Sequence, residues 1–157
     1  MKQIVLSVEL NMNTPQKVLG IDYGSKRIGL STSDPLGILA TPYGTIANDA
    51  TLWDRLKEIV KKESIGSIVV GMPLTLRGES GQKAKEVEGF IHQLKLETGI
   101  IVFSRDERFT TAMAQQTLVQ MNTKKKNRNA KDGTLDSMAA AILLQEYLDS
   151  KKNSITC

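Results

Sequence analysis

The apolar run Val18-Leu19-Gly20-Ile21 stops at a lone carboxylate, Asp22, set between the glycines at positions 20 and 24. A short stretch of Val, Leu and Ile bounded by glycine has the composition of a buried strand, which puts Asp22 at the strand's end. An acid in that place has two uses. It can hold a turn through nearby backbone, or it can anchor a metal or phosphate site whose glycines let a ligand approach the main chain. The rest of the chain must therefore supply elements that bury this strand and leave its carboxyl end reachable.

Arg27-Ile28-Gly29-Leu30-Ser31-Thr32-Ser33 reads as a second strand, joined to the first by a glycine-containing turn that predicts a hairpin. Residues 38–46 predict a third, in which Pro42 argues for an edge or an irregular place. The period then changes. Leu52, Leu56, Ile59 and Val60 recur at helical spacing behind the cap candidates Asn48 and Asp49, predicting a helix from Ala50 to Glu63 with Trp53 on its buried side. Residues 65–71 have the composition of a buried strand, and residues 72–81 that of a polar, glycine-rich loop. Ala84, Val87, Ile91 and Leu94 share one face of a second helix that stops near Gly99, and residues 100–103 predict a fifth strand. A third helix is expected from Thr110 or Thr111 to Met121. The last begins at residues 132–134, with Leu135, Met138, Ala139, Ile142, Leu143 and Tyr147 as its apolar face.

Hairpin strands first, then helix and strand in alternation, then two helices define an α/β class. The expected architecture is a five-stranded mixed sheet, three antiparallel strands followed by parallel ones, with helices on both faces. Residues 17–150 form this domain, residues 1–16 an N-terminal extension before it, and residues 151–157 a flexible tail. The chain of 157 residues, 40% of them hydrophobic, is long enough to bury such a core. Its one cysteine, Cys157, excludes an internal disulfide and a Cys-based zinc site. No run approaches the roughly 18 apolar residues of a membrane span, and the start lacks a signal peptide. A soluble cytoplasmic protein without membrane contact, monomeric or weakly dimeric, is expected.

Three acids stand at element ends. Asp22 closes the first strand, Glu107 follows the fifth, and Asp136 lies in the first turn of the last helix. With the first and fifth strands side by side and parallel, their carboxyl ends would bring Asp22 and Glu107 to the edge where open α/β sheets bind ligands, within reach of Asp136. Convergent carboxylate oxygens suit Mg²⁺ or Mn²⁺, and a pair of such ions about 4 Å apart serves phosphodiester hydrolysis. Each acid also has an ordinary use: a turn for Asp22, an ion pair with Arg105 or Arg108 for Glu107, and the helix dipole for Asp136. Asp106 competes with Glu107, since neighbouring strand side chains point to opposite faces and alternation alone does not choose between them.

The basic residues point to a polyanion. Lys and Arg number 21 against 17 acids, a mild excess, so their placement matters more than their total. Lys124, Lys125, Lys126 and Arg128 cluster in a stretch with almost nothing apolar, which reads as a basic loop. Lys26 and Arg27 in the turn beside Asp22, with Arg108, complete a candidate nucleic-acid surface.

Four segments together resemble one known family. Gly20-Ile21-Asp22-Tyr23-Gly24-Ser25-Lys26-Arg27-Ile28-Gly29, Val69-Val70-Gly71-Met72-Pro73-Leu74, Asp106-Glu107-Arg108-Phe109-Thr110-Thr111 and Asp136-Ser137-Met138-Ala139-Ala140 are similar to the YqgF or RuvX family. The resemblance covers residues 17–149 and implies an RNase H-like fold. It also implies a bacterial, metal-dependent nuclease in 5′-end processing of pre-16S rRNA, with Asp22, Glu107 and Asp136 on the family's acidic positions. The chain departs from the family pattern at Asp132, where a basic residue is usual, and at Thr75, where Asn is frequent. Cleavage of Holliday junctions or other branched DNA is the alternative activity. A non-catalytic RNA-binding factor in ribosome assembly is the alternative class.

Overall fold

The computed structural model describes residues 16–73, 81–106 and 134–155. Five strands make one sheet: β1 (Lys17–Asp22), β2 (Arg27–Ser33), β3 (Ala40–Ala47), β4 (Ile65–Met72) and β5 (Ile101–Asp106), in the order β3-β2-β1-β4-β5. β1, β2 and β3 are antiparallel neighbours; β4 runs parallel to β1, and β5 parallel to β4. The predicted mixed sheet is therefore present, with one correction. β1 and β5 are not side by side, because β4 lies between them. Ile68, Val69 and Val70 of β4 are all buried, as in a strand covered on both faces and flanked on both edges, whereas Ile101 and Phe103 of β5 are exposed. Pro42 sits on β3, at the other edge, where a missing N–H costs no ladder bond.

Among the described residues three helices flank the sheet: α1 (Leu52–Lys62), α2 (Gln82–Thr98) and α3 (Thr134–Ile155). α1 buries Leu52, Leu56 and Ile59. Its N-cap is Thr51 rather than Asn48 or Asp49; the Asp49 carboxylate instead accepts the Thr51 amide at 2.8 Å and hydroxyl at 2.6 Å. α2 ends at Gly99, whose φ of 67° is the left-handed conformation glycine takes without steric cost.

α1 and α2 share one face of the sheet with Leu19, Ile21, Ile28, Leu30, Ile68, Val70 and Val102. Three aromatics gather there, Phe90 lying 4.9 Å from Tyr23 and 5.5 Å from Trp53 between ring centres. On the opposite face Val18 and Val69 meet Leu144 and Leu148 of α3.

The face that α3 turns to the sheet differs from the one expected. Ser137, Ala140, Ala141, Leu143, Leu144 and Leu148 are buried, while Leu135, Met138, Ala139 and Ile142 are half-buried. The helix is apolar on nearly every side, so its pattern does not select a face. It also continues to Ile155, into the segment read as a tail. The helix expected after Thr110 lies outside the described residues, as do the extension before Gln16, the departures at Thr75 and Asp132, and residues 156–157.

Candidate active site

Alternation along β1 decides where its acid goes. Leu19 and Ile21 enter the α1/α2 core, so Val18, Gly20 and Asp22 face α3. β1 and β2 then present two register pairs toward that helix. Gly20 opposes Ser31, Asp22 opposes Gly29, and both glycines are bare because the space is taken, by the Ser31 hydroxyl and α3 at Gly20 and by α3 at Gly29. A Cβ at Gly20 would come within 2.9 Å of the Leu144 Cβ and 3.0 Å of the Ala140 carbonyl oxygen. One at Gly29 would strike the Asp136 carbonyl group.

Between these glycines Ser31, fully buried, donates its hydroxyl proton to the Ala140 carbonyl at 2.7 Å. The helix is thus held on the strand pair by two absent side chains and one hydrogen bond. This contact sets Asp136 in the first turn of α3 directly above the register partner of Asp22. The two acids come from distant parts of the sequence, and Gly29, opposite the one and beneath the other, relates their positions.

The turn between β1 and β2 is locked from the side. Asn48 donates its side-chain amide to the Gly24 carbonyl and its backbone N–H to the Lys26 carbonyl, each at 2.9 Å. Gly24 is bare because a Cβ would collide with the Arg27 carbonyl. Lys26 is exposed at the tip of the turn. Arg27 Nε lies 3.4 Å from Asp136 Oδ2, with both side chains partly open to solvent.

On β5, Phe103 and Arg105 face α3: Phe103 stacks on Tyr147 at 5.8 Å, and Arg105 Nε is 3.9 Å from Glu146 Oε2. Asp106 follows on the other side of the strand, with Val102 of the α1/α2 core. That side is turned away from Asp22 and Asp136. Glu107, Arg108, Lys124, Lys125, Lys126 and Arg128 lie outside the described residues. Among the described residues no group of three or more His, Cys, Asp or Glu is close enough to hold a metal ion.

Of the positions selected from sequence, the structure pairs Arg27 with Asp136, sets Asp136 over the register partner of Asp22, and leaves Lys26 exposed in the turn beside them. Sequence reasoning missed Gly29, Ser31 and Asn48, which set their arrangement. The Arg-Ile-Gly run after the turn carried a signal for Gly29, since glycine inside a strand marks a close approach. Nothing local marked Ser31, and the sequence offers Asn48 only as a cap candidate.

A family model described as RuvX: Holliday junction resolvase matches residues 16–150. The chain is 43% identical over 135 residues to a Sulfurihydrogenibium protein named "Putative pre-16S rRNA nuclease", covering 85% of this chain and 90% of that one. It is 36% identical over 143 residues to a protein of the same name from Anaplasma marginale, covering 90% and 89%. Among solved structures it is similar to Thermus thermophilus RuvC in complex with Holliday junction substrate. That match has a TM-score of 0.55 and 16% identity, covering 87% of this chain and 96% of the other. The likeness shows a shared fold, the RNase H-like one.

Proposed function

The chain belongs to the RuvX family, and on that premise we propose that it is a divalent-metal-dependent nuclease acting on pre-16S rRNA. The observation that supports the reading is the packing of the Asp136 backbone over Gly29, the register partner of Asp22. Glu107, the next residue after β5, is the third carboxylate of the proposal.

The donor set fits Mg²⁺ or Mn²⁺. It consists of hard carboxylate oxygens, and the Asp136 side chain is partly open to solvent. Bound there, such an ion would polarise the phosphoryl oxygens and lower the pKa of an attacking water. The residues of the chain do the rest. Asp22, on a central strand, and Asp136, on a helix clamped to that strand, hold their oxygens in a fixed relation before substrate arrives. Lys26 and Arg27 neutralise backbone phosphates beside the scissile bond, and Lys124, Lys125, Lys126, Arg128 and Arg108 extend that contact along the polyanion. Because phosphate contacts carry little sequence information, recognition rests on the shape of the folded RNA.

The family description favours branched DNA as the second substrate. Purified protein incubated with a precursor rRNA fragment and with a synthetic four-way junction, with and without Mg²⁺, separates the two. Cleavage of the RNA only with metal, lost in Asp22→Asn while binding persists, is the expected result. Binding by the wild type without cleavage of either substrate would instead identify a non-catalytic assembly factor.

A further inference from the structure

The turn that carries Lys26 and Arg27 away from the carboxyl end of β1 is short, and both of its roots are fixed. Before it, Tyr23 packs against the α1/α2 core with its ring 4.9 Å from that of Phe90. After it, Arg27 is already in ladder register with Ala47 of β3. Gly24, Ser25 and Lys26 lie between these anchors. The carbonyls of the first and the third both accept hydrogen bonds from Asn48.

The two bonds differ in what they ask of the sequence. The backbone N–H of Asn48 meets the Lys26 carbonyl at 2.9 Å, just beyond the Arg27–Ala47 pair, and any residue other than proline could donate it. The bond from the side-chain amide to the Gly24 carbonyl, also 2.9 Å, needs a donor of this reach. A carboxylate of the same shape could only accept, and would set its charge against the carbonyl oxygen. The helix that follows makes no use of this side chain: Thr51 is the N-cap of α1, and the acceptor for Thr51 is the Asp49 carboxylate.

A peptide unit is planar and trans, so turning the Gly24 carbonyl toward Asn48 turns the Ser25 N–H the opposite way. The contact thus fixes backbone at a tip whose residues, Ser25, Lys26 and Arg27, are all exposed. Arg27 Nε is at the same time 3.4 Å from Asp136 Oδ2, so the conformation of this turn bears on how cations stand beside that acid. Long cationic side chains on a turn held in advance lose less freedom when they meet a phosphate than the same side chains on a loose one.

We propose that Asn48 is a positioning residue for phosphate binding. Its amide, on the Gly24 carbonyl, holds the turn in the conformation that presents Lys26 and Arg27 to a nucleic-acid backbone. The role rests on the proposed action on RNA, and it requires binding rather than turnover.

The test is a double-mutant cycle read by filter binding of a precursor rRNA fragment to the full-length protein without divalent metal. Asn48→Ala should weaken binding about tenfold in the wild-type background, and no more than about twofold once Lys26 and Arg27 are both alanine, because a residue that acts through them then has nothing to position. Equal losses in the two backgrounds would overturn the inference, as they mark a general effect on the fold or a direct contact of Asn48 with RNA. Hydrogen–deuterium exchange on Asn48→Ala checks the fold separately. Uptake should rise across residues 23–28 and stay unchanged at residues 36–39, in the turn at the other end of β2. A rise at both places would also overturn it. Wild-type binding without cleavage in Mg²⁺ would remove the nuclease reading and leave the cycle standing, whereas absence of wild-type binding would remove both.

Discussion

The backbone of Asp136 rests on Gly29, so the first turn of α3 sits where a side chain of β2 would otherwise stand. Gly29 in turn is the register partner of Asp22. Gly29→Ala adds a methyl group that must displace backbone rather than a flexible side-chain tip. We expect a loss of about 1–3 kcal/mol in stability. Nuclease activity should fall about 100-fold, the scale of an error near 1 Å in catalytic placement. Thermal unfolding and a single-turnover cleavage assay on the same preparation separate the two effects.

Ser31 provides the matching hydrogen bond. Ser31→Ala removes a fully buried donor to the Ala140 carbonyl and should cost about 1–2 kcal/mol in urea unfolding, without changing the slope against denaturant. Ser31→Val should cost more, since its second methyl competes for the space beside Gly20.

Arg27 is expected to affect binding more than folding. Its pair with Asp136 is partly solvent-exposed, so Arg27→Ala should change stability by about 1 kcal/mol or less. Affinity for RNA should drop, and the slope of log affinity against log salt should become shallower by about one phosphate contact. An unaltered slope in filter binding would remove Arg27 from the phosphate surface.

Neutralising Lys124, Lys125, Lys126 and Arg128 together should reduce that slope further, by up to about three for a single-stranded target. Affinity should fall most at low salt, where counterion release is most favourable. Titrations at several salt concentrations read both quantities.

Acid should weaken a contact far from the site. Glu63 accepts hydrogen bonds from the Lys17 ammonium at 3.1 Å and the Tyr43 hydroxyl at 3.2 Å. The Lys17 hydrogen bond is the main cause that holds its carboxyl below the ordinary value of 4.5. A carboxylate with a lowered folded pKa stabilises the fold above its unfolded pKa, and that contribution disappears as pH falls through the folded value. Wild-type Tm should therefore decline below about pH 4.5 more steeply than that of Lys17→Met. Identical slopes would refute the assignment.

Much of the sheet was legible because it is written in short-range pattern. Short apolar runs bounded by glycine gave the hairpin strands, helical spacing gave α1 and α2, and Pro42 pointed to an edge. Strand order was not written that way. Placing β1 beside β5 overlooked that the unbroken Ile68-Val69-Val70 run needs neighbours on both edges, while Ile101 and Phe103 do not. The face of α3 was illegible for a different reason: a helix apolar all round takes its orientation from the glycines and the serine it meets. Asp22 and Asp136 could be selected as acids at element ends, but their relative placement depends on Gly29 and Ser31, which lie on a third element. The choice of Glu107 over Asp106 depends on strand facing, and for Asp106 that facing emerged only from the contacts of Val102, Phe103 and Arg105.

The bare positions at Gly20 and Gly29 also limit how this protein can change. Replacing glycine by alanine within a strand ordinarily stiffens the unfolded chain and is a standard route to thermostability. Here that route is closed at both central positions, because helix backbone, a packed leucine or the Ser31 hydroxyl fills the space a methyl group would need. A more heat-resistant version would have to gain its stability elsewhere, at the exposed helix surfaces. The strand pair beneath the acids would stay thin.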